Sequence, residues 1–199
     1  MRFAGLLLFT VIFVGAVSVL PSVAAPITYV HTGFGSGSLD NVAFGAAAPL
    51  AFTITAVGDT ANVVSCFAPC LSNNNIAASI AISGLGSFDF ITATRYFANV
   101  GIVGFSHAGI SGAEMFDLFN GPAIPPWDML SSIGPIAGTG VLLQWDRSSI
   151  LTNGGVLVFN DGSSASTFAA TVVPEPSTLL LLGSGLVAGA MRWLFKKRA

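Results

Sequence analysis

Leu50-Ala51-Phe52-Thr53-Ile54-Thr55-Ala56-Val57 is the stretch on which the fold class turns. Leu50, Phe52, Ile54 and Ala56 alternate with Ala51, Thr53, Thr55 and Val57. Successive side chains of an extended chain point to opposite faces, so the pattern predicts a strand with one apolar face. Ile76, Ala78, Ile80 and Ile82 alternate in the same way with Ala77, Ser79, Ala81 and Ser83. Further strands are predicted over 27–31, 62–66, 87–97, 100–106, 139–146, 155–160 and 165–172, with Gly, Asn and Ser between them. Asn153-Gly154-Gly155 predicts a tight hairpin between 150–152 and 156–159. Many short strands at this spacing predict an all-β domain, a β-sandwich or jelly roll. One stretch departs: residues 112–119, with Glu114, Met115, Phe116, Asp117 and Leu118, read as a short helix ended by Asn120-Gly121-Pro122.

The composition is 53% hydrophobic and 8% charged over 199 residues, against about a quarter charged in an ordinary soluble domain. The excess sits at the two ends. At the first, Arg2 supplies a positive start, and residues 3–20 are apolar apart from Thr10 and Ser18. Pro21-Ser22-Val23-Ala24-Ala25 then offers the small residues at which a signal peptidase cuts. The expected cut follows Ala24 and leaves Ala25 first, because a cut after Ala25 would leave Pro26 at the new terminus. The alternative is an uncleaved membrane anchor, for which the run is just long enough.

At the other end an apolar run from Leu179 to Met191 is followed by Arg192, then by Trp193-Leu194-Phe195 and Lys196-Lys197-Arg198. A helix over 178–195 reaches about 27 Å, enough to cross the hydrocarbon core. Arg192 can snorkel to the interface, and the basic cluster of Arg192, Lys196, Lys197 and Arg198 stops transfer on the cytoplasmic side. Pro174-Glu175-Pro176 then falls at the outer membrane–water boundary, where two prolines keep the chain extended. The order Pro174-Glu175-Pro176, Ser177-Thr178, Leu179 to Leu182, Gly183-Ser184-Gly185 and a terminal basic cluster resembles the PEP-CTERM sorting signal of Gram-negative bacteria. Trp193-Leu194-Phe195, lying before the last basic residues, departs from the pattern and shifts the expected end of the span. The resemblance implies recognition at Pro174, Glu175 and Pro176 by an exosortase. It also implies transient anchoring in the inner membrane, display at the cell surface or release, and association with exopolysaccharide and biofilm. Glu175 is in that reading a recognition handle, not a catalytic group. An ordinary single-span anchor with a proline-rich stalk is the competing reading. The expected organisation is a signal peptide over 1–24, a β-rich ectodomain over 25–171 and a sorting tail over 172–199.

Between the ends, Arg95 and Arg147 stand against Asp40, Asp59, Asp89, Glu114, Asp117, Asp128, Asp146 and Asp161. That negative balance argues against nucleic acid or anionic lipid as a partner of the body. Cys66 and Cys70 have three residues between them in a chain expected to be exported, which predicts a disulfide closing one small turn. Redox activity or a metal site is the alternative. Gly104-Phe105-Ser106-His107-Ala108 lacks the last glycine of a nucleophile elbow, and Gly33-Phe34-Gly35-Ser36-Gly37-Ser38 lacks the third of a dinucleotide fingerprint. No calcium-loop pattern is present, so neither metal nor cofactor is expected. Glu114 and Asp117, sharing a helical face, are the one carboxylate pair with glycosidase spacing in mind. Trp127, between two prolines and Asp128, is the candidate surface ring for stacking on sugar, while Trp145 alternates with Leu143 and Val141 as a core residue would. These residues predict a noncatalytic surface or matrix protein, with a secreted carbohydrate-active hydrolase as the alternative.

Overall fold

The computed structural model describes residues 24–110, 114–120, 124–145 and 149–173. The two flanking helices expected at the ends, with Pro174, Glu175, Pro176, Arg192, Lys196, Lys197 and Arg198, lie outside the described residues.

The described chain is all-β. The larger sheet contains β1 (Pro26–Gly35), β4 (Leu50–Asp59), β5 (Val63–Phe67), β6 (Cys70–Asn74), β7 (Ala77–Ile82), β8 (Gly86–Asp89), β9 (Thr94–Asn99), β10 (Ile102–His107), β11 (Glu114–Phe119), β12 (Ile133–Leu142) and β15 (Gly162–Val172). The smaller contains β2 (Gly37–Leu39), β3 (Val42–Phe44), β13 (Ile150–Thr152) and β14 (Gly155–Phe159). Their orders are β5-β6-β9-β10-β11-β12-β15-β1-β4-β7-β8 and β13-β14-β2-β3. Every pairing is antiparallel.

Alternation sets the inner face. Ile27, Tyr29 and His31 of β1 are buried, and they lie opposite Gly58, Ala56 and Ile54 of β4. On the other side of β1, Tyr29 faces Ala170 and His31 faces Phe168 of β15. Four strands separate β9 from β1 in the sheet, yet Tyr29 stacks on Tyr96 with ring centroids 4.5 Å apart. The long sheet therefore folds over on itself as a sandwich does, with its apolar faces interdigitated. Tyr29, His31, Phe168, Tyr96, Phe105 and Phe116 make the aromatic centre. The smaller sheet caps the Gly35 end, where Phe159 packs on Phe52 and on Trp145 with centroids 4.9 Å away in each case. The smaller sheet also covers the β8 edge: the Ile91 amide donates to the Leu151 carbonyl at 2.8 Å and Asn153 to Asp89 at 3.0 Å. The β2–β3 hairpin turns on Asp40 and Asn41, whose φ values of 48° and 65° fit a two-residue turn twisted like the strands.

Residues 112–119 do not form the expected helix. Glu114–Phe119 is strand β11, laddered to β10 on one side and β12 on the other. Eight residues are too few for a helix to hold by itself, and two flanking ladders with Phe116 and Leu118 in the core outweigh a weak local preference. The single strand expected over 87–97 is two, β8 and β9, broken at residues 90–93. The strand expected over 139–146 begins earlier and ends earlier, as Ile133–Leu142.

Because β1 and β15 are neighbours, the chain enters and leaves at one end of the sandwich, here the base. The Val173 amide donates to the Pro26 carbonyl at 2.9 Å, and the Val172 amide to Ser132 Oγ at 2.9 Å. Ala25 donates to Thr60 Oγ1 at 2.9 Å and its carbonyl accepts from the Thr60 amide at 3.0 Å.

Candidate functional site

Two places on the body bear on function: the base, where the chain ends leave, and the outer face of β10 and β11. At the base, Val173 is the last described residue and still hydrogen-bonded to the sheet, so Pro174 follows the folded body with no spacer. Ala24 is half-buried, and Ala25 is held by Thr60 beside Pro26. The two ends at which processing is expected are thus brought together by the pairing of the first and last strands.

Trp127 also lies at this end, and not as a surface ring. It is buried, with Phe168 at 5.8 Å and Tyr29 at 6.4 Å, and its indole N–H donates to the Ser131 carbonyl at 2.9 Å. The bulky ring closes the gap between the two halves of the sandwich, which outweighs the expected exposure beside prolines. Only its rim reaches the two shallow grooves that flank it. Beside it, Asp128 accepts from the amides of Leu130 at 2.9 Å and Ser131 at 3.2 Å and from Ser131 Oγ at 2.9 Å. The Leu130 amide is the main cause holding its carboxyl below the usual range. Cys66 and Cys70 are bonded to each other, with Cα atoms 5.4 Å apart, across the turn between β5 and β6.

The carboxylates Glu114 and Asp117 share a face, by a route different from the helix expected. In the β10–β11 ladder Gly104 faces Asp117 and Phe105 faces Phe116, but Ser106 then faces Glu114. Met115 is the extra residue of a β-bulge. Gly104 and Ser106 are two apart and point the same way, so their partners do too. Across that outer face runs a row of Ser72, Phe97, Gly104 and Asp117. Gly104 has no side chain because the Phe97 ring and Asp117 Oδ1 occupy the space a Cβ would need. The next row holds Arg95, whose Nε donates to Ser106 Oγ at 3.0 Å.

Asp117 is only 5% exposed, and its Oδ1 has no hydrogen-bond partner among the described residues. Burial pushes its pKa up to about 8, with the neighbouring charge of Glu114 adding to the effect. Asp117 is therefore protonated at neutral pH. A buried protonated acid beside a second carboxyl is the division of labour that general acid catalysis uses. Ser106 and His107, in contrast, follow one another on β10 and so point to opposite faces. Ser106 is bound to Arg95, and His107 Nδ1 lies 2.8 Å from the Ala108 carbonyl, so the two form no dyad. His31 is sealed in the aromatic core, where burial takes its pKa down to about 3. Among the described residues no three His, Cys, Asp or Glu side chains converge as a metal site would need.

Periodicity had pointed to Glu114 and Asp117, but the bulge has no signature in six residues, and the signal that Phe97 covers Asp117 lies only in the strand register. No curated protein and no solved structure matches the chain. The family comparison does match, at the segment leaving the base: residues 172–198 fit the PEP-CTERM protein-sorting motif. The chain thus carries a PEP-CTERM protein-sorting motif beginning in the last strand of its folded body.

Proposed function

We propose that this is an exported, noncatalytic protein of the cell surface or extracellular matrix, associated with exopolysaccharide and delivered there by exosortase processing of its tail. The organisation proposed is a signal peptide over 1–24, removed by signal peptidase, a β-rich ectodomain over 25–171 and a sorting tail over 172–199. The observation that carries the reading is the sorting motif at 172–198, joined directly to a β-sandwich-like body. A body with few charges and β faces rich in Thr, Ser and Ala suits a matrix component. The test is the mass of the exported product in cells with and without the exosortase. Loss of both ends only when the exosortase is present supports the reading; a product that keeps Trp193 to Ala199 in normal cells makes the tail a permanent anchor.

One observation favours a second reading, a carbohydrate-active hydrolase. The bulge in β11 sets Glu114 and protonated Asp117 on one face. Release of reducing sugar from the host's own polysaccharide, abolished in both Glu114→Gln and Asp117→Asn, would establish it.

A further inference from the structure

We propose that the base of the sandwich is a membrane-seating face: while the tail holds the chain, this face rests on the lipid surface through apolar contact. The inference builds on the transient anchoring that the sorting motif implies and goes beyond it.

Both chain ends leave from this one face. Val173 is bonded to Pro26, and Ala25 to Thr60 beside it. Five peptide steps separate Val173 from Thr178, where the apolar tail is expected to begin, about 17 Å at full extension. The headgroup layer takes up about 5–7 Å of that reach. The base therefore lies within about 10 Å of the headgroups, and the body has no stalk on which to stand away.

The side chains at the base suit that position. A continuous surface joins the chain exit to the grooves beside Trp127. Ser132, which accepts from Val172, lines one groove with Pro125 and Pro126; Pro126 and Asp128 continue into the next, with Val100. Val100, Leu130 and Val173 are each more than half exposed. Two carboxylates lie at this end: Asp128 has an oxygen turned into its own loop by Leu130 and Ser131, and Asp59, opposite Pro26, accepts from the Ala61 amide at 2.8 Å. Among the described residues no cation joins these, so the contact proposed is with the apolar part of the interface and not with anionic headgroups. Exposed apolar side chains also occur at the far end, as at Val42, so exposure alone does not mark the base. The two chain exits do. A short tether raises the local concentration of lipid at the base to the millimolar range. A few apolar side chains are then enough to seat the body, and too few to hold it once the tether is cut.

The test uses the full chain with Trp193→Phe, reconstituted into phosphatidylcholine vesicles with and without brominated phosphatidylcholine. Reporter tryptophans are placed by Leu130→Trp and Val100→Trp at the base, and by Val42→Trp at the far end, about 30 Å away along β1. The expected result is at least twofold quenching of the added fluorescence by bromine at 130 and at 100, and none at 42. Leu130→Glu should reduce the quenching of Val100→Trp severalfold. Vesicle-bound chain with unquenched base reporters overturns the seating and leaves anchoring intact, as does equal quenching at 42. A base signal that follows protein density instead of bromine content also overturns it, in favour of contact between copies. Chain that does not float with the vesicles removes the anchoring itself, and the seating with it.

Discussion

The ring of His31 lies 4.1 Å from that of Phe116, centroid to centroid, and neither of its nitrogens has a hydrogen-bond partner among the described residues. A histidine so placed is tolerated only in its neutral form.

Stability should accordingly depend on pH in two opposed ways. His31 falls from 6.5 to about 3 on folding, so its contribution is present above pH 6.5 and is lost as pH falls toward 3. Asp117 rises from 3.8 to about 8, so its contribution is present below pH 3.8 and is lost as pH rises toward 8. Between 3.8 and 6.5 the two slopes, about 1.4 kcal/mol per pH unit each, cancel. The melting temperature should be level there, fall above pH 6.5 and fall again at the acid extreme. Circular dichroism melts across pH 3 to 9 check this, and a maximum at pH 8 would contradict it.

Asp117→Asn removes the proton that the buried site must lose at high pH. It should stabilise the body at pH 8 by about 2–4 kcal/mol, with the gain shrinking toward pH 4. Denaturant midpoints at the two pH values measure it; a gain independent of pH would mean that packing, not ionisation, is responsible.

Gly104→Ala places a methyl group where Phe97 and Asp117 already meet. A cost of about 1–3 kcal/mol is expected, as for other overpacked sites. Phe97→Leu should relieve part of it in the double variant, whereas additive losses would show that the ring is not the obstacle.

The Cys66–Cys70 bond closes a very short loop. Cys66→Ser with Cys70→Ser should cost about 2 kcal/mol at most, with the sandwich retained. Thermal unfolding with and without reductant reads this directly; global unfolding on reduction would assign the bond a larger role.

Glu175→Ala should leave precursor that keeps its C-terminal tail in the inner membrane. Fractionation and mass measurement of the retained chain test it, and release at the normal rate would take Glu175 out of the recognition element.

The alternation in Leu50 to Val57 made β4 plain from residue types alone, because a half-buried strand writes its period into the chain. The sorting tail was equally plain, since the order of its parts is linear. β11 was not. Glu114, Met115 and Leu118 favour a helix locally, and what makes them a strand is β10 and β12, whose pairing is a fact of distant residues. Trp127 was misplaced for a related reason: flanking prolines suggest exposure, but the opening it fills exists only once the sheet has doubled over. The burial of Asp117 is not legible from its own segment, because it depends on Phe97 from a neighbouring strand.

The partnership of β1 with β15 also fixes a timetable. In a chain exported N-terminus first, as proposed above, β1 emerges early and must wait, one edge open, until the last strand has passed through. Pairings so remote in sequence form slowly. On that route the sandwich is locked only as residues 162–172 clear the pore, when the stop signal proposed behind them arrives there. Completion of the fold and arrest of transport become nearly one event, and the processing enzyme meets a finished domain.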